Sequence, residues 1–222
     1  MTTSPVPVLQ AGDVLSRAEF ERRYAAMPQL KKAELVEGVV YVASPVNLMR
    51  HGQPHAVMSY WLGAYQEATP CLIGGDNSTV RLDLDNEPQP DLLLCLPANA
   101  GGQAKVLADG NLEGPPELVI EIAASSVSYD LHQKMNAYRR NGVCEYLVHR
   151  VDDGEVDWFR LDRGRYVTQT PDAGGLLKSS LFAGLWLDVA ALLQGDRRVL
   201  RATVERGCRT PEHAAFVRRL TP

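Results

Sequence analysis

The chain has 222 residues, of which 45% are hydrophobic and 23% charged, a size and balance that lead us to expect one globular domain with short appendages. Its net charge of −4 gives no overall basic signature of nucleic-acid binding, no apolar run is long enough to span a membrane, and the four cysteines form neither a CxxC pair nor a Cys/His cluster for structural zinc. The segment "MTTSPVPVLQ" lacks the cationic and apolar stretches of a secretion signal, so a reducing, cytoplasmic setting is expected.

In chain order, residues 1–14 read as a flexible N-terminus. "SRAEFERRYAA" has a serine cap before a helical pattern, and "KAELVEGVVYVAS" reads as two strands around a Glu37-Gly38 turn. "HGQPHAVMSYWLGAYQEA" reads as a helix from near Pro54 to before Pro70. Three strand candidates follow, "LIGGDNSTVRLDL", "DLLLCLP" and "LVIEIAA". The last two are separated by a turn-rich stretch, "ANAGGQAKVLADGNLEG", that suggests a surface excursion or a lid. "SYDLHQKMNAYRRNG" reads as a helix stopped by Gly142, "CEYLVHR" as a strand, "EVDWFRLDRGRYVTQT" as a hairpin and "FAGLWLDVAALLQG" as a strand running into a short helix. From Asp196 onward seven arginines face three acidic residues, +4, leaving −8 for the rest. This basic tail, 196–222, has a helical pattern whose simplest role is a solvated face, with phosphates or acidic protein as its alternative partners.

The expected order from 52 to 150 is helix, strand, strand, strand, helix, strand. The glycine pairs Gly74-Gly75, Gly101-Gly102 and Gly174-Gly175 fit neither GxGxxG nor a P-loop. We therefore expect a mixed α/β sandwich over residues 15–195 rather than a dinucleotide fold.

Glu121 is the odd residue in an otherwise apolar strand. An unpaired ionised carboxylate buried there costs on the order of several kcal/mol, so it needs a partner: a lysine or arginine, or a metal. It shares a strand face with Val119 and Ala123. Asp91, after Pro90, opens another apolar strand. Alone it reads as turn chemistry; beside Glu121 it makes a carboxylate pair suited to a hard divalent cation. Asp130 and Lys134 are spaced i, i+4 with Tyr138 further along the same face. Spacing alone favours a surface ion pair of roughly a few tenths of a kcal/mol.

Taken together, "AELVEGVVYVASP…H", "QPDLLL", "PPELVIEIAASS…D…K…Y" and "GVCEYLV" resemble the PD-(D/E)XK nuclease superfamily and, more narrowly, its Uma-type restriction endonuclease family, over roughly residues 15–190. The resemblance implies an α/β restriction-endonuclease-like fold, a mixed sheet flanked by helices with core order αβββαβ, an added N-terminal hairpin and C-terminal strands. It implies Mg²⁺-dependent (or Mn²⁺-dependent) hydrolysis of DNA, with Asp91 and Glu121 as metal ligands and Lys134 positioning the attacking water. The superfamily's usual lysine would fall at Ala123, and the resemblance places it instead at Lys134. The chain also differs in reading Ala124-Ser125-Ser126 where a Ser-Pro-Ser turn is usual, and Leu147-Val148-His149 where a Trp strand precedes Asp.

Glu34 aligns with a recurring family glutamate and is a further catalytic candidate, as a ligand or base. Its plain alternative is an exposed carboxylate paired with Lys31 or Lys32. His51 reads as a phosphate or water contact or as a helix-entry cap, Glu37 as a turn residue, and Arg139 and Arg140 as phosphate contacts. DNA as partner and a homodimer complete the leading expectation. A non-catalytic DNA-associated or scaffold protein is the alternative, and a glycosidase pair ranks last because only 7% of the chain is aromatic.

Overall fold

The computed structural model describes residues 5–221. Helix α1 (Arg17–Ala25) leads into a hairpin of β1 (Ala33–Val36) and β2 (Val39–Val42), whose turn has positive φ at both Glu37 (55°) and Gly38 (73°). Two left-handed residues match the twist of a tight antiparallel hairpin. A π-helical turn (Leu48–Gly52), capped by the Asn47 side chain, opens α2 (Gln53–Ala68). Next come β3 (Ile73–Asp76), β4 (Val80–Arg81), β5 (Leu92–Cys95), β6 (Lys105–Val106), β7 (Leu112–Glu113) and β8 (Leu118–Ala123). A helical stretch follows, made of α3 (Val127–Tyr129), a π turn (Asp130–Lys134) and α4 (Met135–Asn141), and ends at Gly142 in the left-handed conformation. The chain closes with β9 (Glu145–Arg150), β10 (Glu155–Asp162), β11 (Arg165–Thr168), β12 (Leu176–Lys178), β13 (Trp186–Asp188), α5 (Val189–Gln194), α6 (Arg197–Cys208) and α7 (Pro211–Leu220).

Six strands form the central sheet in the order β11-β10-β9-β8-β5-β3, with β8 and β9 parallel and the other neighbours antiparallel. This is the mixed α/β architecture expected. All six residues of β8 are buried. Leu118, Ile120 and Ile122 join the main core with Trp61 of α2, Leu147 and Trp158. Val119 and Ala123 face a second cluster with Tyr138, Tyr146 and Val148. Burial on both faces is why this strand reads as a nearly unbroken apolar run.

Four expectations need correction. "LIGGDNSTVRLDL" is two strands: Asn77, at φ 46°, turns the chain out of the central sheet, and β4 joins a separate sheet of order β4-β7-β6. The stretch after β5 is therefore folded rather than a free lid. Buried Glu117 pins its base by accepting N–H bonds from Leu96 (2.7 Å) and Gln103 (2.8 Å), and a Cβ at Gly102 would lie 2.0 Å from the Leu96 carbonyl oxygen. The basic tail is helical with its arginines on a solvated face, as expected, but it is not separate from the 15–195 domain, because Leu200, Val204, Phe216 and Leu220 lie in the main core. From Leu9 onward the N-terminal stretch is tied down as well: Leu9 is buried, and the Gly12 and Leu15 N–H groups donate to Val40 and Gly38 carbonyls at 2.8 Å each. The part of the flexible-terminus expectation covering residues 1–4 lies outside the described residues, as does Pro222.

Candidate active site

The register of β5 against β8 builds the site. Pairing of Leu92 with Ile120 brings Asp91, just before β5, level with Glu121 in β8. Both are buried. The Asp91 Oδ2 accepts a hydrogen bond from the Ile122 N–H at 2.8 Å and lies 3.2 Å from His51 Nε2, while Lys32 Nζ approaches Oδ1 at 3.5 Å. His51 is thus not a helix cap; Asn47 performs that task, and the π turn swings the imidazole onto the carboxylate. One turn on, His55 Nε2 lies 3.1 Å from the Asp91 carbonyl oxygen, a contact that no spacing in the sequence announces.

Lys134 departs furthest from the surface reading. Only 3% exposed, it places Nζ 2.9 Å from Oε1 of Glu121 and 2.9 Å from Oε1 of Glu34, with Asp130 Oδ1 at 4.0 Å. Asp130 is buried too, and the Ser126 hydroxyl donates to it at 2.6 Å. The helical stretch after β8 turns this face onto the sheet rather than to water. Tyr138, one turn beyond Lys134, donates its hydroxyl to Glu121 Oε1 at 2.9 Å. The structure thus brings Asp91, Glu121, Lys134 and Glu34 together.

Glu34 is buried rather than exposed, and its partner is Lys134, not Lys31 or Lys32. An antiparallel bridge between Leu35 and Glu87 ties β1 to the segment before β5, so that Glu34 Oε1 also accepts the Gln89 N–H at 2.6 Å. Arg140 and Arg139 are engaged elsewhere. Arg140 pairs with Glu37 at 2.8 Å, and Arg139 donates to the Gly164 carbonyl at 2.9 Å.

One ammonium here faces three buried carboxylates, Glu34, Glu121 and Asp130. Burial tends to discharge Lys134, but Glu121, Glu34 and Asp130 outweigh it and hold the amine charged well above the usual lysine range. Glu121 and Asp130 bear the cost instead. Burial pushes Glu121 up to about 8 against the pull of Lys134, and Asp91, Asp130 and Glu34 push the same way. For Asp91, burial is overcome by the His51 hydrogen bond, the Lys32 charge and the Ile122 N–H, which hold it well below the usual carboxylate range.

Hard carboxylate oxygens suit Mg²⁺ or Mn²⁺, and the acidic surplus around Glu121 suits added positive charge. Lys134 and Tyr138 both bind Glu121 at Oε1, which leaves Oε2 for a further cation. Among the described residues, no three or more His, Cys, Asp or Glu side chains are grouped to hold a metal ion by themselves, so water and substrate oxygens would have to complete its shell.

A family model described as "Putative restriction endonuclease" matches residues 17–190, most of the chain. The chain belongs to the Uma2 family. Membership in Uma2 supports a nuclease-like function for the chain. A crystal structure from Anabaena variabilis ATCC 29413, described as a putative nuclease, is similar with a TM-score of 0.61 and 13% sequence identity, covering 78% of this chain and 97% of that one. At that identity the likeness speaks for the fold. No curated protein sequence matches the chain.

Proposed function

We propose that this Uma2 protein is a Mg²⁺- or Mn²⁺-dependent endonuclease that hydrolyses DNA phosphodiester bonds. The observation that carries the reading is Lys134, buried between Glu34 and Glu121 beside Asp91. Asp91 and Glu121 would hold the cation, which when bound polarises the scissile phosphate and acidifies a water. Asp91 is kept ionised and oriented by His51, Lys32 and the Ile122 N–H. Tyr138 orients Glu121, and Glu34 fixes the ammonium from its other side. Lys134, held charged, serves as a hydrogen-bond donor to the attacking water and to charge developing on phosphate; it is no proton acceptor. Hydrolysis adds water across the P–O3′ bond, leaving a 5′-phosphate and a 3′-hydroxyl.

The test is cleavage of supercoiled, linear, branched and single-stranded DNA with Mg²⁺ or Mn²⁺. Turnover that needs the cation and is lost in Asp91→Asn supports the reading; no cleavage of any substrate removes it. The second reading, a DNA-associated or scaffold protein without catalysis, draws on Lys134 already neutralising Glu34 and Glu121 without a metal. Calorimetric titration with Mn²⁺ separates the two, because a scaffold of that kind takes up no cation at Asp91.

The same reading includes a homodimer, since cutting both strands of a duplex commonly uses two sites, with the C-terminal tail or the β10–β11 hairpin as the candidate contact. A monomer at micromolar concentration in sedimentation would count against it. Four free cysteines fit a reducing compartment such as the cytoplasm, and no helix of the described residues is long and apolar enough to cross a membrane.

A further inference from the structure

The family match ends at residue 190, and the helices beyond it carry seven arginines against three acidic residues. Arg201 and Arg209 pair with Glu205, whereas neither Arg197 nor Arg198 has a carboxylate partner among the described residues. Both are exposed. The neighbouring carboxylate, Asp196, is committed to the Arg198 and Val199 N–H groups at 3.0 and 3.1 Å, so it closes the end of α6 and leaves the two guanidiniums free.

Their position matters more than their number. Gly195, at φ 68°, ends α5 and turns the chain so that α6 lies along α2; a Cβ there would sit 3.9 Å from Val57 Cγ2. The Arg197 guanidinium lies 5.8 Å from the Tyr60 ring centre. Gln53, Gly195, Asp196, Arg197 and Arg198 line one recess of about 430 Å³. Gln53 begins α2, two residues after His51, which touches Asp91, and His55 in the first turn reaches the Asp91 carbonyl. The recess and the carboxylate cluster thus share the start of α2.

We propose that this recess grips the nucleic-acid backbone beside the reactive carboxylates, with Arg197 and Arg198 each contacting a phosphate; the proposal rests on the nuclease reading above. A chain of net charge −4 repels DNA on average, so binding needs local positive charge near the carboxylate cluster. Unpaired guanidiniums supply it in the planar, forked form that matches phosphate oxygens. Gln53 adds an amide that can bond to a phosphate or sugar oxygen.

The experiment measures binding of the full chain to a labelled duplex and to a single strand by fluorescence anisotropy, without divalent cation, at several salt concentrations. Cleavage is assayed separately. The Arg197→Gln/Arg198→Gln variant is compared with Arg218→Gln/Arg219→Gln on α7, which lies against residues 98–100 at the far end of β5 from Asp91. We expect the α6 variant to bind about tenfold more weakly near 0.1 M salt. Its log–log salt slope should fall by about 1.8 on duplex or about 1.4 on a single strand, as two phosphate contacts require. The α7 variant should match the wild type. The arm with the larger loss identifies the form of backbone held. Unchanged binding in the α6 variant, an equal loss in the α7 variant, or no binding by the wild type overturns the inference. Weaker binding by the α6 variant alone, in a wild type that cleaves nothing, keeps the grip and removes the catalytic reading.

Discussion

Lys134 Nζ lies 2.9 Å from Glu34 Oε1, joining the helical stretch after β8 to the first strand of the N-terminal hairpin. The same nitrogen holds Glu121 at 2.9 Å, so one buried ammonium ties three separate parts of the chain. Removing it leaves carboxylates buried without their counter-charge. Lys134→Ala should therefore lower stability by about 3–5 kcal/mol near neutral pH, far above the roughly 0.5 kcal/mol or less of a surface pair. Urea unfolding measures this, and a loss below about 1 kcal/mol would contradict the buried network. In conditions where the variant stays folded, cleavage should fall by about a hundredfold or more.

Asp91→Asn keeps an oxygen for the Ile122 N–H but discards the charge facing His51 and Lys32. We expect a stability loss no greater than about 3 kcal/mol, a retained fold, and no calorimetric heat from Mn²⁺. Mn²⁺ uptake equal to wild type would place the cation away from Asp91.

The metal-free protein should lose stability as pH rises. Glu121 and Glu87 both have carboxyls pushed up to about 8 from 4.5, chiefly by burial. A group whose folded pKa is raised stabilises fully below its unfolded pKa, and the contribution disappears as pH climbs through the folded value. Denaturant midpoints should fall from about pH 5 to pH 8. Glu121→Gln and Glu87→Gln should each flatten that fall, and an unchanged slope in both would refute the assignment.

Position 123 offers the superfamily's usual place for lysine, on the Glu121 face of β8. Ala123 is fully buried against the Tyr138 and Tyr146 cluster, so a lysine there meets packed side chains. Ala123→Lys should cost at least about 1–3 kcal/mol and fail to restore cleavage to Lys134→Ala. Full rescue would mean that the cluster opens readily.

Leu200 of α6 is buried in the main core. Leu200→Ala should destabilise by about 2–5 kcal/mol in a single cooperative transition. A separate low-stability transition for the last two helices would instead make the tail an independent unit.

The strands and the site carboxylates were legible because each violates or obeys a local rule. An apolar run with one acid in it announces β8 and Glu121, and a Glu-Gly pair between alternating residues announces the β1–β2 turn. The added β4-β7-β6 sheet was not legible: its strands are two residues each, too short to show a period, and Val80 and Leu112 are buried against Leu93 and Cys95 of β5, a contact between separate segments. Spacing likewise left Lys134 on the surface, since i, i+4 with Asp130 is the same on a wet helix face as on a dry one.

The sequence by itself determined which residues could form a mixed sheet and which carboxylates would need a partner, because alternation and burial cost act between neighbours in the chain. Only the tertiary structure decided who those partners are. Lys134 meets Glu34, His51 meets Asp91, and α6 meets α2 through strand register, the Leu35–Glu87 bridge and the turn at Gly195. These are contacts between segments far apart in the chain, and no local periodicity encodes which distant face a side chain will be folded against.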